Sequence, residues 1–249
     1  MSGRGVSLEI AGLRKSFDDK IVLDGVNLGV LPGQSLVIIG GSGAGKSVLL
    51  KCILGLIDAD SGTVLVDDID MTEPDNDRRE QARERIGMLF QGGALFDSMP
   101  VWRNITFALT QGRAREAERM HAIAVNMLEK VGLEPHVADL RPAEISGGMQ
   151  KRVALARAIA AGPDLIFFDE PTTGLDPIRA NTINQLIRGL VTDLGCTAVT
   201  ITHDMESARQ IADHVAMLHE GRIVWAGPVA ELDDSGNPLV DRFIHGRVE

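Results

Sequence analysis

Cysteine, long apolar runs, positive charge and internal repeats are all scarce or missing in this chain. Only two cysteines occur, Cys52 and Cys196. They lack the paired spacing of a metal site and are too few for a disulfide framework, so both read as reduced thiols or core residues. The longest apolar runs, such as LIFF at 165–168, are strand-sized, whereas a helix needs about 20 apolar residues to span a bilayer. The opening MSGRGVSLEI has no apolar stretch of the kind a signal peptide or anchor requires. Lysine and arginine number 25 against 35 aspartates and glutamates, a net charge of −10. That balance argues against broad electrostatic attachment to nucleic acid or anionic lipid. These absences predict a cytosolic chain that reaches a membrane only through a protein partner.

What is present is enough apolar content, 44% of 249 residues, to bury a full core. That core could belong to one large α/β domain or to such a domain with a smaller lobe. Residues 40–47 read GGSGAGKS, preceded by the apolar run SLVIIG and followed by the helical stretch KSVLLKCILGL. This is the strand, loop and helix setting of a phosphate-binding loop. Gly40, Gly41, Gly43 and Gly45, with Ser42 and Ala44 between them, let successive backbone N–H groups turn inward around anionic oxygens. The helix opening at Lys46, Ser47 and Val48 adds its own N–H groups and positive dipole end. Lys46 can reach the β and γ phosphates and the Ser47 hydroxyl can ligate Mg²⁺. A nucleoside triphosphate is the expected ligand.

Strand patterns occur at 7–11, 21–30, 61–68 and 86–91. The charged stretch 71–85 between the last two reads as a solvated loop and helix. Helical periodicity dominates 98–140, with Ala117, Met120, Ala124, Met127 and Leu128 at helix spacing. The α/β pattern resumes with a helix from about Met149, the run LIFFDE, a helix near 178–194, the strand TAVTIT and a helix near 205–212. A β-hairpin follows, turning at Glu220 and Gly221. A second anion site is written at ISGGMQKR, 145–152, where Ser146, Gly147 and Gly148 precede a helix. In LIFFDE the four apolar residues predict a strand buried on both faces, with Asp169 and Glu170 at its carboxyl end.

The phosphate loop, Gln91, SGG at 146–148, LIFFDE at 165–170, GLD at 174–176 and His203 after a strand occur in the order found in ATP-binding cassette (ABC) ATPases, which the chain resembles over nearly its whole length. The resemblance implies an α/β fold of the P-loop NTPase class, with a mixed sheet core, an antiparallel β subdomain and an inserted helical subdomain. It divides the single nucleotide-binding domain 1–249 into a RecA-like and β core at 1–97 and 160–235, a helical subdomain at 98–159 and a C-terminal tail at 236–249. It implies ATP hydrolysis with Mg²⁺ held by Ser47, Gln91 and Asp169, and with Glu170 polarising the attacking water. Lys46, His203 and Gln91 assist, His203 by contacting the γ-phosphate and orienting Glu170. Phe17 resembles the aromatic that stacks on adenine, with Val22 a second candidate; a core phenylalanine is the plain alternative.

Two phosphate sites on one chain imply, by the same resemblance, a head-to-tail homodimer. In it ATP lies between the loop of one copy and Ser146, Gly147, Gly148 and Met149 of the other, with Asp176 across the interface. Ile145 and Met149 depart from the commonest signature, LSGGQ. Together with GALFD at 93–97 and the residues flanking it, SGGMQKRVALARAI resembles the ATPases of the Mla and Mce type, which power lipid traffic in the bacterial envelope. This implies a permease dimer, an Mce-domain lipid-binding protein, a STAS-domain protein and a place on the cytoplasmic face of the inner membrane. Leu95, Phe96, Met99 and Trp102 are expected near the permease groove. An importer cassette for a small polar solute such as an amino acid is the alternative. A ribosome or DNA ATPase would call for two cassettes or a basic surface. An inactive cassette is disfavoured by the presence of Lys46, Asp169, Glu170 and His203.

Overall fold

The computed structural model describes residues 5–74, 77–110 and 116–246. Two sheets organise them. The larger has the order β10-β9-β3-β8-β7-β6, built from β3 (Ser35–Ile39), β6 (Ile86–Leu89), β7 (Leu165–Asp169), β8 (Thr197–Ile201), β9 (His214–His219) and β10 (Arg222–Pro228). Its strands are parallel except β10, which closes one edge as the antiparallel half of a hairpin turning at Glu220 and Gly221. Parallel strands covered on both faces need no polar side, hence the continuous apolar runs. Alternate residues feed different cores. Val37, Ile39, Ile166 and Phe168 join the cluster under α6 (Gly147–Ile159) and α7 (Pro177–Leu194). Leu36, Ile38, Leu165 and Phe167 join the cluster that includes α1 (Lys46–Ile53) and the second sheet.

The smaller sheet is antiparallel, ordered β2-β1-β4-β5, with β1 (Leu8–Phe17), β2 (Lys20–Val30), β4 (Ser61–Val66) and β5 (Ile69–Asp70). The β1–β2 hairpin carries Phe17 at its tip, and β2 is tied to the other sheet where the Asp24 N–H donates to the Gly221 carbonyl at 2.9 Å.

Between β6 and β7 lies the expected helical insertion: α3 (Val101–Ile105), α4 (Phe107–Thr110), α5 (Ala117–Lys130), two 3₁₀ turns and α6. In α5 Met120, Ala124 and Leu128 are buried as the periodicity predicts and Met127 packs beside them. Ala117, at the helix start, is exposed. Fully buried Asn104 shapes the loop before α3, accepting from the Phe96 N–H at 2.7 Å and donating to the Phe96 and Met99 carbonyls.

The charged stretch 71–85 is not wholly solvated. It forms α2 (Asp77–Glu84), whose Arg79 and Ala82 are buried, Arg79 donating to the Glu73 carbonyl; residues 75 and 76 lie outside the described residues. The tail expected at 236–249 contains α9 (Pro238–Ile244), with Val240 buried; residues 247–249 lie outside the described ones. Both cysteines are free and buried. No helix of the described residues is long and apolar enough to cross a membrane.

Candidate functional site

The carboxyl ends of adjacent parallel strands converge at one edge of the larger sheet, the place where such sheets form ligand sites. From β3 the chain enters the loop 40–47. Gly40 is there because its backbone passes so close to β9 that a Cβ would lie 2.3 Å from the Leu218 carbonyl oxygen. Gly45, at φ 105°, caps α1, and a Cβ there would lie 2.8 Å from the Val22 carbonyl oxygen. The N–H groups of Gly43 and Gly45 make no hydrogen bond among the described residues. With the first turn of α1 they form a ready set of donors for anionic oxygens. Lys46 folds back over the loop, donating to the carbonyls of Gly40 at 2.7 Å and Gly41 at 3.0 Å. Burial lowers its pKa, while Glu170 and Asp169 pull it the other way. Ser42 and Ser47 are exposed on the loop, and Ala44 and Val48 are half-buried.

β7 delivers the two carboxylates. Asp169 ends the strand, and burial followed by the charge of Glu170 raises its pKa against the opposing pull of Lys46 and Lys151. Glu170 has φ 48°, a left-handed conformation that costs a residue other than glycine about 1–3 kcal/mol and clusters at functional sites. Its neighbours over-determine it. The Glu170 N–H donates to Ile201 O at 2.9 Å, the Thr173 hydroxyl to Oε2 at 2.9 Å, and His203 Nδ1 lies 2.9 Å from Oε1. β8 thus brings His203, which follows TAVTIT, onto the carboxylate.

A hard divalent cation prefers oxygen ligands and keeps water and phosphate oxygens in its shell. The exposed Ser47 hydroxyl and the crowded acids Asp169 and Glu170 fit that chemistry. Among the described residues no cluster of three or more His, Cys, Asp or Glu side chains could hold a metal unaided, so such an ion would share the ligand's phosphates.

Gln91 follows β6 and is exposed, its carbonyl accepting from Lys151 of α6. Arg157, farther along the same helix, donates to the carbonyls of Gly93 at 2.6 Å and Ala94 at 2.7 Å. Lys151, Arg157 and Thr173 are site residues that the motif reading missed. The only signal for the first two was basic residues inside the otherwise apolar KRVALARA. Ser146 caps α6, its hydroxyl accepting from the Met149 N–H at 3.3 Å. Ser146 and Gly147 are exposed, with Gly148 and Met149 half-buried. No hydrogen bond among the described residues joins 146–149 to the loop 40–47. Asp176 caps α7, accepting from the Arg179 N–H at 3.0 Å and pairing with its guanidinium.

Phe17 is 46% exposed, with Lys15 Nζ 5.3 Å from its ring centre. The core alternative for it is therefore excluded. Val22 is half-buried behind Gly45. A cleft of about 1090 Å³ lies between β6, α2, α4, α5 and α6, lined among others by Phe90, Phe96, Phe107, Leu109 and Arg157. Phe96 lines this cleft, while Leu95 and Trp102 are half-buried against the neighbouring core cluster.

The family model described as ABC transporter matches residues 23–173. The intermembrane phospholipid transport system ATP-binding protein MlaF of Escherichia coli (strain K12) is 40% identical over 228 residues, 92% of this chain and 84% of that protein. The probable ribonucleotide transport ATP-binding protein mkl of Mycobacterium leprae (strain TN) is 37% identical over 243 residues, 98% of this chain and 70% of that protein. The dimeric post-hydrolysis structure of the ATP-binding cassette MJ0796 with ADP and Pi superposes with a TM-score of 0.80 at 31% identity, covering 89% of this chain and 98% of that one. Motif order, strand topology and similarity running almost end to end agree, and the chain belongs to the ABC transporter family as one of its ATP-hydrolysing cassettes.

Proposed function

We propose that this cassette powers phospholipid transport in a bacterial envelope, as a head-to-tail homodimer docked on the cytoplasmic face of an inner-membrane permease dimer. The observation that carries the cargo class is the 40% identity to an MlaF protein that the chain matches over 84% of its length. The GALFD and SGGM phrases point the same way. An Mce-domain lipid-binding protein and a STAS-domain protein complete the proposed assembly. The cleft beside Phe96 and Arg157 is the proposed seat of the permease.

In this reading the glycine loop and the first turn of α1 bind the phosphates, and Lys46 leaves the carbonyls of Gly40 and Gly41 to meet β and γ oxygens. Ser47, Asp169 and the Gln91 side chain would hold Mg²⁺, which when bound neutralises charge on the transferred phosphoryl group. Glu170 accepts hydrogen from the attacking water, and His203 fixes the carboxylate while its other ring nitrogen faces the γ-phosphate. Phe17, with Val22, receives the adenine. Ser146, Gly147, Gly148 and Met149 of the second copy close the site, and Asp176 reaches across the interface. Ligand that binds only the closed pair shifts the population toward it, and loss of γ-phosphate contacts releases it.

The second reading is a cassette for a small polar solute. It draws on the mkl relative, whose name specifies ribonucleotides and of which 70% is matched. Purifying the complex from its native membrane in gentle detergent separates the two. An Mce-domain protein, a multi-span permease and bound phospholipid support the first, whereas a solute-binding protein with another permease supports the second. Ribosomal or DNA-associated partners would overturn both.

A further inference from the structure

We propose that Ser207 is a positioning residue for ATP hydrolysis, its buried hydroxyl locking together the loop that carries Glu170, the turn that carries His203 and the helix that Asp176 caps. The proposal rests on the roles given above to Glu170 and His203. Ser207 lies in α8 (Met205–Ile211) and is 0% exposed; Thr172 is 7% and Asn184 2% exposed. Its Oγ donates to Asp204 Oδ2, lies 2.8 Å from Asn184 Nδ2 and 3.2 Å from Thr172 Oγ1.

Hydrogen counting fixes every direction. A carboxylate can only accept, so the single Ser207 hydrogen goes to Asp204. Both remaining lone pairs must then accept, one from the Asn184 amide N–H and one from the Thr172 hydroxyl. The Ser207 hydroxyl is then saturated, with one bond given and two received, while Asn184 Oδ1 is buried without a partner among the described residues.

Each partner leads to a different part of the site. Thr172 precedes Thr173, whose hydroxyl holds Glu170 Oε2 at 2.9 Å. Asp204 follows His203 and caps α8, its oxygens accepting from the N–H groups of Glu206 and Ser207. Asn184 sits about two turns into α7, whose cap is Asp176. Ile183 and Ile187 of α7 share one buried apolar cluster with Ala208 and Ile211 of α8, while a hollow of about 440 Å³ lined by Thr173, Asn184, His203 and Asp204 opens beside the polar network. The hydrogen bonds to Ser207 are the polar link among the three segments. Cut them, and His203 and Glu170 keep their own contact but lose its placement.

The test uses the full chain in its membrane complex, with Thr172→Val and Ser207→Ala made alone and on a His203→Ala background. Steady-state kcat and KM for ATP, single-turnover rates and the thermal midpoint are measured. Thr172→Val keeps side-chain volume and removes only one donor, so it remains informative if Ser207→Ala does not fold. Each variant is expected to lower kcat about tenfold while KM moves less than about twofold, the signature of lost alignment. On the His203→Ala background the same changes should alter residual single-turnover rates less than about twofold, since the groups act as one unit. Equal fold losses on both backgrounds, or a lowered thermal midpoint with kcat unchanged, would overturn the proposal. A His203→Ala variant with wild-type turnover would overturn it together with the assigned role of His203, a result identified by that single variant.

Discussion

His203 Nδ1 lies 2.9 Å from Glu170 Oε1, joining the carboxyl ends of the neighbouring strands β7 and β8. Because a carboxylate can only accept, Nδ1 carries the hydrogen in this contact, and Nε2 is left for a ligand on the open side of the ring. The His203 side chain is 61% exposed, that of Glu170 12%. The carboxylate is therefore sheltered, fixed by two partners, and held on a backbone conformation that glycine usually occupies.

Glu170→Gln keeps the shape and an accepting oxygen but removes the base. Hydrolysis should slow by about 10²–10⁴ while ATP binding is retained. Steady-state turnover and nucleotide titration check this, and wild-type turnover in the variant refutes the assignment.

Gly45→Ala should destroy the phosphate loop. At φ 105° the new Cβ would lie 2.8 Å from the Val22 carbonyl oxygen and 3.1 Å from Leu23 Cδ2, so either β2 or the cap of α1 must move. ATP affinity is expected to fall at least about tenfold, with a loss of stability of about 1–3 kcal/mol. Gly29→Ala, on β2 with open space around its would-be Cβ, serves as control and should leave nucleotide binding intact.

The motif-bearing parts of this fold were legible because each motif marks a strand end or helix start, where local chemistry dictates the residue. LIFF at 165–168, the loop 40–47 and the helix start after Ser146 all fall where the spacing puts them. Illegible were the contacts made by carbonyl oxygens, which leave no trace in side-chain patterns. Lys151 on the Gln91 carbonyl and Arg157 on those of Gly93 and Ala94 depend on where two segments more than fifty residues apart come to rest. Burial of Arg79 in a stretch that reads as solvated is a case of the same kind, since it donates to the backbone carbonyl of Glu73.

Arg157→Gln should loosen the segment after Gln91. The guanidinium's pKa is lowered by burial, and its two bonds to backbone carbonyls are charge-assisted, a class worth about 1.5–3 kcal/mol each. A destabilisation of about 2–3 kcal/mol is expected in denaturant titration, with faster amide exchange confined to β6 and the loop that follows. Uniform protection across both regions would show that Arg157 does not hold them.

Phe17→Ala should weaken ATP binding about five- to tenfold, whereas Phe17→Tyr should keep it, because the exposed ring offers a face for an adenine and little to the core. Thermal stability should stay within about 0.5 kcal/mol for both. A large stability loss with unchanged ATP affinity would instead return Phe17 to a packing role.

Alkaline pH should destabilise the protein through its two thiols. Burial pushes both Cys52 and Cys196 up to about 11 from an ordinary value of 9.0. A group whose pKa is raised on folding holds its proton more tightly in the native state. Its contribution is complete below the unfolded value of 9.0 and disappears as pH rises through about 11. Unfolding free energy measured from pH 8 to about 11 should therefore fall more steeply for the native chain than for Cys52→Ala/Cys196→Ala, whatever the offset between them at neutral pH. Parallel curves would mean that neither thiolate is penalised by the core. Thiol-specific alkylation supplies the independent reading, since below pH 9 both sulfurs should react only as fast as the protein opens.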